Sequence, residues 1–369
     1  MKISVILPVY NVGEYIEACL ESLLHQTVGQ ENLEIIIVDD CSTDDTQQRA
    51  ERYRDQFDHF IYYRYPENNG SPGKPRNKGV SLSHGEFIHF MDPDDILEHH
   101  AYGLLLDHMQ PEDDFVMGTM QSFNEDGSTF QHTTFKQHKL KKQYTSVSLA
   151  EVPFFAQVKI GVVLKLIRKA FYEKKRIQFT EDLRNGEDKI VDTLLYTRAD
   201  AFSYISEVIY HYRNREVGEN KSLTHQAVID AIRNDVFAYE LCAPHYDAET
   251  LPFFKMNALR SLLWKVLDPE FELLTESEQL QCMEGIHKVV SEYDAQVLDL
   301  YLNNEKPIVN LIHHKAYALA IEYAALLRQR RESYYRGTYL VRMKNEQQQF
   351  KHSKSYQLSR MMQKLHLLK

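Results

Sequence analysis

The stretch EFIHFMDPDD, residues 86–95, places three aspartates directly after a short apolar run. We predict a buried strand over residues 86–91 and a tight loop that carries Asp92, Asp94 and Asp95. Two carboxylates one residue apart at a strand end can face one cleft, where they would repel each other unless one were protonated. A divalent cation removes that conflict, and Mg²⁺ or Mn²⁺ commonly joins one or two carboxylates to substrate phosphates. A D-x-D triplet alone is weak evidence, but its position after a buried strand favours a metal site formed by Asp94 and Asp92.

The sequence around this stretch alternates between strand-like and helix-like patterns. Continuous apolar runs at Ile3–Val9 and Glu34–Val38 are typical of buried parallel strands. Residues 42–44, Ser-Thr-Asp, offer capping side chains for a following helix. The alternation predicts a doubly wound α/β sheet that binds ligands at the carboxyl ends of its strands. The other elements predicted here are strands at Phe60–Tyr65, Asp114–Met120 and Phe202–Tyr212, and helices at Tyr15–Leu24 and Arg76–Ser83.

Polar clusters follow three of the first four predicted strands, so they would meet at one edge of the sheet. The first strand ends at Tyr10 and Asn11, and the second ends at Asp39 and Asp40. A carboxylate such as Asp40 can accept a hydrogen bond from a nucleobase N–H, or it can cap the next helix. The pattern leaves both roles open.

A loop rich in Gly and Pro, residues 68–75, precedes the predicted helix at Arg76. Lys74, Arg76 and a helix N-terminus near Pro75 favour an anion at this position. The loop lacks the spacing of a P-loop, and an ordinary turn is the alternative.

The second half of the chain has a different composition. The stretch Asn124–Tyr144 is polar and rich in Lys, Gln and His, and we expect an excursion or hairpin beside the site. From about Leu223 onward the apolar spacing is helical. We therefore divide the chain into residues 1–222, which hold the strand-end clusters, and a helical region, residues 223–369, for acceptor binding, self-association or membrane proximity. Its predicted helices are Leu223–Leu241, Met256–Leu267, Leu280–Tyr293 and Leu311–Leu327.

Charge is unevenly distributed along the 369 residues, whose net charge is −10. The acidic body argues against a nucleic-acid partner, which would require a basic face. Residues 328–369 instead contain eleven Lys or Arg and two Glu. This basic tail suits the surface of an anionic membrane, and a solvated terminal helix explains it equally well.

The cysteines and the apolar runs bear on the compartment. Cys19, Cys41, Cys242 and Cys282 have no metal-finger spacing and suggest no disulfide framework. We find no signal peptide and no apolar run of about 18 residues that would span a membrane. We expect a cytoplasmic protein, located at the inner face of the plasma membrane if the tail binds lipid.

Four motifs in register resemble the family 2 glycosyltransferases of the GT-A fold over about the first 220 residues. They are ILPVYN at residues 6–11, VDDCSTD at 38–44, PRN at 75–77 and DPDD at 92–95. Within that family the chain is similar to the β-N-acetylglucosaminyltransferases that decorate poly(ribitol phosphate) wall teichoic acid. The signs are residues 39–44, the loop at 70–77 and a later Gly186-Glu187-Asp188.

The resemblance implies an inverting transfer of GlcNAc or another hexose from a UDP-sugar to a hydroxyl of a cell-surface polymer, teichoic acid or polysaccharide. A divalent metal, Mn²⁺ or Mg²⁺, would take part. Asp188 would be the catalytic base, with Glu187 beside it, and Asp94 and Asp92 would hold the metal. The residues implied for the nucleotide sugar are Pro8, Tyr10, Asp40, Asn69, Gly70, Arg76, Asp92 and Arg215.

The residues themselves support a base at this position. Inversion by direct displacement needs one carboxylate to deprotonate the acceptor hydroxyl. Glu187 and Asp188 open a predicted helix, and a helix N-terminus lowers the pKa of a carboxylate. An ordinary acidic helix start is the alternative. A histidine that completes the metal site is in doubt, because only His211 and His225 lie near the expected loop.

Two other classes of protein compete with this interpretation. Nucleotidyltransferases share the architecture, but their phosphate loops are richer in Gly and Arg. A non-catalytic glycan-binding or scaffold protein could retain the fold, although the full set of Asp40, Asp92, Asp94 and Asp188 argues against that.

Overall fold

The computed structural model of the 369-residue chain describes residues 2–158, 161–181, 183, 186–215, 228–291 and 305–352. Strands in these residues are β1 (Ile3–Val9), β2 (Leu33–Asp39), β3 (Phe60–Arg64), β4 (Phe87–Phe90), β5 (Ile96–Leu97), β6 (Phe115–Asn124), β7 (Thr129–Phe130), β8 (Tyr144–Val147), β9 (Lys165–Arg168) and β10 (Phe202–Asn214). The helices are α1 (Gly13–Leu24), α2 (Thr46–Glu51), α3 (Gly73–Leu82), α4 (Ala101–His108), α5 (Lys169–Lys174), α6 (Glu187–Arg198), α7 (Val228–Cys242), α8 (Leu251–Val266), α9 (Glu276–Val290), α10 (Lys306–His313) and α11 (Tyr317–His352).

All the strands of this part of the chain join one mixed sheet, in the order β3-β2-β1-β4-β9-β6-β10-β5, with β7 added to β6 and β8 to β10. The first four strands are parallel. Every residue of β1 and β2 is buried, because the strands lie between covering layers. The predicted doubly wound sheet is confirmed, and the carboxyl ends of β1, β2 and β4 share one edge.

The strand β9 was not predicted. It runs antiparallel to both β4 and β6 and so joins the parallel strands to the second half of the sheet. Its four residues, KLIR, are too few for a period of two to stand out from the surrounding sequence.

Close packing of α3 on β1 positions the loop that precedes α3. A Cβ atom on Gly79 would lie only 2.2 Å from Cγ2 of Ile6, so this approach requires a glycine. The helix begins at Gly73, not at the predicted Pro75 or Arg76. Pro75 is tolerated in this first turn because its missing N–H would have no partner within the helix.

The C-terminal helices follow the predicted pattern with one error. The predicted helix Leu311–Leu327 is two helices, α10 and α11, because Lys315 takes a left-handed conformation with φ of 58°. The predicted boundary at residue 222 and the end of the basic tail, residues 353–369, fall outside the described residues. None of the helices within the described ranges combines the length and the apolar character that crossing a membrane requires.

The C-terminal helices pack on the sheet through α6. Asp235 of α7 accepts hydrogen bonds from Ser261 and Lys265 of α8, at 2.5 and 2.6 Å, and forms an ion pair with Lys189 of α6. The apolar core runs without a break from β1 to α11. These helices therefore support the element that carries Glu187 and Asp188.

A second buried ion pair lies beneath α6. Lys165 of β9 is fully buried, and its Nζ lies 2.8 Å from Oδ1 of Asp192 and 4.9 Å from the centre of the Tyr196 ring. Burial raises the pKa of Asp192 to about 6, while the Lys165 ammonium acts against that rise. A buried pair of this kind becomes costly when one partner is removed.

Asp192→Ala should lower the free energy of unfolding by about 3–5 kcal/mol, because it leaves the Lys165 charge buried and unpaired. The double variant Lys165→Met/Asp192→Leu should recover most of that loss, since it removes both charges. Urea unfolding of the three proteins tests this. An equal loss in the single and double variants would contradict it.

Candidate active site

The two aspartates at the end of β2, Asp39 and Asp40, have different surroundings. Asp39 is fully buried and accepts hydrogen bonds from the Ser42 N–H, at 2.7 Å, and the Tyr62 hydroxyl, at 2.8 Å. It therefore shapes the turn. The N-cap position of α2 is Asp45, and the first helical N–H, that of Thr46, donates to Asp44 Oδ1 at 3.0 Å. Asp40 is thus not needed as a helix cap.

Asp40 faces the loop after β3. Its carboxylate accepts hydrogen bonds from the Asn69 backbone N–H, at 3.0 Å, and from Asn69 Nδ2, at 2.5 Å. Tyr10, at the end of the adjacent β1, is half exposed, and Pro8 is buried in β1 beside Val38. Tyr10, Asp40 and Asn69 therefore meet at the edge where the sequence predicts a nucleobase. Contact with the base stays a prediction.

The loop before α3 is held on both sides. Gly70 has φ of 75°, a conformation that favours glycine. The Ser71 hydroxyl donates to the Leu183 carbonyl at 2.6 Å. Lys74 Nζ donates to Asn69 Oδ1 at 2.5 Å, which joins this loop to the Asp40 cluster.

Arg76 connects the two acidic motifs of the site. Its guanidinium is buried and donates to Asp92 Oδ1 at 2.8 Å and to Glu187 Oε1 at 2.5 Å. It also lies over the Phe179 ring, 5.2 Å from its centre. The predicted contact of Arg76 with a base or phosphate remains untested. The geometry instead shows a link between the D-x-D loop and the start of α6.

The D-x-D loop is fixed by β10. Asp95 is fully buried and accepts hydrogen bonds from the Tyr210 hydroxyl, at 2.8 Å, and the Arg213 N–H, at 2.7 Å. The same Tyr210 hydroxyl accepts from the Asp92 N–H at 3.1 Å. Sequence reasoning missed this support, because a tyrosine inside a strand resembles any other core aromatic. The signal that the sequence offered was the third carboxylate of the motif, Asp95, which requires hydrogen-bond donors when it is buried.

Asp92 and Asp94 differ in exposure. The Asp92 side chain is 33% exposed, and that of Asp94 is 13% exposed. Burial raises the pKa of Asp94 to about 6, and Arg215 acts against this rise from 2.9 Å away. The Arg215 guanidinium therefore already pairs with Asp94, at the position where the sequence predicts a metal.

The oxygen ligands present fit Mg²⁺ or Mn²⁺. These ions are commonly held by one or two carboxylates together with substrate phosphates and water. Among the described residues there is no cluster of three His, Cys, Asp or Glu side chains that could hold an ion. His211 contacts Glu98 at 2.7 Å, and His225 lies outside the described residues. Phosphate oxygens would therefore have to complete a site at Asp92 and Asp94.

Glu187 and Asp188 open α6 after Gly186, whose φ is 90°. Glu187 is buried beside Arg76, and burial raises its pKa to about 7 although Arg76 lowers it. The predicted lowering by the helix N-terminus is therefore wrong for Glu187, because desolvation outweighs the helix dipole. Asp188 is partly exposed, and its carboxylate faces Gly161, where a Cβ would lie 3.6 Å from Oδ2. Of the two carboxylates, Asp188 is the one that solvent reaches.

The class of protein follows from this fold and site. Residues 4–170 match the model of the family described as Glycosyl transferase family 2. This part of the chain is therefore similar to a glycosyl transferase family 2 domain, and the fold is the GT-A fold that the motifs predicted.

The individual relatives of the chain carry more specific names than the family does. The chain is 27% identical over 307 residues, 80% of its length, to the minor teichoic acid biosynthesis protein GgaB of Bacillus subtilis. It is 31% identical over 226 residues, 60% of its length, to the poly(ribitol-phosphate) β-N-acetylglucosaminyltransferase TarS of Staphylococcus aureus. Those matches cover 33% and 37% of the relatives, so the chain spans about a third of the length of the curated relatives it matches.

A solved structure covers more of the chain. The crystal structure of S. aureus TarS 1-349 in complex with UDP-GlcNAc aligns with a TM-score of 0.68 and 25% identity, over 91% of this chain and 92% of that one. A mannosyltransferase from Pyrobaculum calidifontis, in complex with GDP-Man and Mn²⁺, aligns with a TM-score of 0.53 at 14% identity and shows the fold alone.

We expect Asp188→Asn to retain UDP binding and to slow sugar transfer by about 10²–10⁴-fold, because the amide cannot accept the hydroxyl proton. Steady-state transfer rates and UDP titrations provide the two readouts. The matched control is Asp200→Asn, which makes the same chemical change at an exposed position. Transfer by Asp188→Asn at the rate of the control would exclude Asp188 as the base.

Asp94→Ala should remove the Mn²⁺ dependence of UDP binding and lower turnover by about 10²-fold or more, because the diphosphate loses its counter-charge. Titration of UDP with and without Mn²⁺ measures the first effect. Asp107→Ala, at an exposed position on α4, should behave like the parent. Full activity of the parent in EDTA would rule out a metal at this site.

Proposed function

We propose that this chain is an inverting glycosyltransferase that moves a hexosyl group, GlcNAc in the first instance, from a UDP-sugar to a hydroxyl of a polyol-phosphate polymer such as teichoic acid. One observation carries the proposal. The exposed carboxylate of Asp188 lies next to Glu187, which Arg76 joins to Asp92 of the D-x-D loop. A base for the acceptor and a loop for the donor diphosphate are thus held as one unit.

The names of the relatives support the donor and the acceptor. Both GgaB and TarS are named for teichoic acid or its poly(ribitol phosphate) chain, and the aligned TarS structure contains UDP-GlcNAc. In this chain, Asp40 and Asn69 offer the acceptor and donor groups that a uracil edge requires, and the half-exposed Tyr10 lies beside them.

The chemistry assigned to the residues is a single displacement. Asp188 takes the proton from the acceptor hydroxyl as its oxygen attacks the anomeric carbon, so the configuration inverts. Arg215, 2.9 Å from Asp94, can turn toward the diphosphate and balance the charge that develops on it. Asp92 and Asp94 would hold Mn²⁺ or Mg²⁺, which supplies Lewis-acid stabilisation to the leaving group when bound.

The rival proposal, a non-catalytic glycan-binding or scaffold protein, explains less. Such a protein has no need of an exposed acid beside a buried Glu–Arg–Asp chain, whose burial costs stability unless it is fully paired. The site retains every one of these carboxylates, from Asp40 to Asp188.

The compartment and partners are part of the same proposal. The four cysteines are free, which suits a reducing cytoplasm. We place the reaction there, at the inner face of the plasma membrane if the basic tail, residues 328–369, binds anionic lipid. Self-association through the C-terminal helices is the other role proposed for that region.

Release of UDP from UDP-GlcNAc, UDP-glucose and UDP-galactose tests the function directly. We expect one donor to be preferred, Mn²⁺ or Mg²⁺ to be required, and release to rise when poly(ribitol phosphate) is added. The proton coupling constant at the anomeric carbon of the product should report a β-linkage, since the donor is α. Retention of configuration, or no stimulation by any polyol-phosphate polymer, would overturn the proposal.

A further inference from the structure

We propose that exposed lysines on the segment between β7 and β8 bind the anionic acceptor polymer along its backbone; this inference rests on the proposed function. The segment, residues 132–142, contains four lysines and two histidines and no acidic residue. We call its four lysines the basic strip: Lys136, Lys139, Lys141 and Lys142.

The basic strip is held on a fixed support. Phe135 and Leu140 are buried in the apolar core, so the segment cannot lift away without exposing them. The Tyr204 hydroxyl of β10 donates to the Leu140 carbonyl at 2.7 Å. All four lysines are exposed. Because Phe135 and Leu140 are fixed in the core, the segment holds the four lysine ammonium groups in solvent.

Among the described residues, none of the four lysines has a carboxylate at ion-pair distance. Glu207, near the end of the segment, accepts hydrogen bonds from the neutral Gln143. The segment therefore carries four positive charges and no acid in a chain whose net charge is −10. Its field would attract an anion over about one Debye length, 8–10 Å.

The strand β7, which precedes the segment, is linked to the D-x-D loop. It pairs with Ser122 and Phe123 of β6. The Phe123 ring lies 4.6 Å from the Arg213 guanidinium, and Arg213 Nε donates to the Asp94 carbonyl at 2.8 Å. The segment therefore begins after a strand whose neighbour contacts the support of the D-x-D loop.

The segment also approaches α6, the helix that Glu187 and Asp188 open. Lys139 Nζ lies 4.8 Å from the centre of the Phe154 ring. Phe154 belongs to the short turn Pro153–Gln157, whose Phe155 ring packs on the Tyr196 ring of α6 with 6.1 Å between the ring centres. The basic strip therefore lies near the second half of α6, the helix whose first turn carries Asp188.

A polyol-phosphate polymer fits this surface by charge. Each repeat carries one phosphodiester anion, and a polymer whose hydroxyl lies at Asp188 extends beyond the site in at least one direction. Several exposed lysines can then contact successive phosphates, each weakly, and together raise the affinity for long chains over short ones. A neutral polysaccharide would gain nothing from the basic strip.

The test removes three charges and leaves the aromatic contact of Lys139 in place. In the full chain, the variant is Lys136→Gln/Lys141→Gln/Lys142→Gln. The matched control, Lys2→Gln/Arg52→Gln/Lys174→Gln, removes three exposed positive charges elsewhere. Both variants should release UDP from UDP-GlcNAc without acceptor at the parent rate, which shows that each is folded.

With a poly(ribitol phosphate) of many repeats, the strip variant should raise KM about ten-fold, if each lost charge contributes as an exposed ion pair does. With ribitol 5-phosphate as acceptor, its KM should equal that of the control. The fall in polymer affinity between 50 and 300 mM NaCl, on the order of several-fold for the parent, should be smaller for the strip variant. Equal KM and equal salt dependence in the strip variant and the control would overturn the inference.

Binding of fluorescent poly(ribitol phosphate), measured by anisotropy without donor, separates this inference from the proposed function. If the parent transfers no sugar to any polyol phosphate, the proposed function fails, and binding still decides whether the basic strip holds the polymer. Parent-like binding by the strip variant overturns the inference whether or not transfer occurs.

Discussion

The Arg76 guanidinium lies between two carboxylates, Asp92 and Glu187, in a position closed to solvent. A buried charge is tolerated only when it is paired, so removing this arginine would leave two carboxylates facing each other in a medium of low dielectric constant. The D-x-D loop follows β4, which ends at Phe90, and Glu187 opens α6. The two carboxylates that Arg76 joins therefore come from elements that lie far apart in the sequence. One side chain therefore joins the D-x-D loop to the start of α6.

The site as a whole carries more acid than base. Tyr210 and Arg213 of β10 bind the buried Asp95, and Arg215 pairs with Asp94. The acids grouped here are Asp92, Asp94, Asp95, Glu187 and Asp188, against Arg76, Arg213 and Arg215. Such an excess is unfavourable, and under the proposed function the diphosphate of a donor would add further negative charge. A donor would then be expected to enter together with a divalent cation.

The sequence predicted the parallel half of the sheet well, because β1 and β2 are buried on both faces and so appear as continuous apolar runs. Asp40 and Asp92 follow parallel strands and so lie at one edge of the sheet, whereas Asp188 opens a helix. The pairing of Arg76 with Glu187 was not predictable, because 111 residues separate the two and their contact depends on how α6 packs. The break at Lys315 was missed for a different reason, since apolar spacing continues across it while the backbone turns. Roles in binding and catalysis depend on a substrate, and they stay predictions.

The strand β9 has a consequence for the order in which the chain can fold. The parallel strands β1 to β4 are complete once residue 90 has left the ribosome, but β6 joins them only through β9, which ends at Arg168. During synthesis, the edge of β6 that later pairs with β9 stays unpaired while some forty further residues are added. An unpaired strand edge is a template for association with other chains. The D-x-D loop gains the hydrogen bonds that fix it later still, when Tyr210 and Arg213 of β10 are synthesised. Assembly of the D-x-D loop is therefore the last event in completing the sheet, so the loop takes its final form only once β10 is in place.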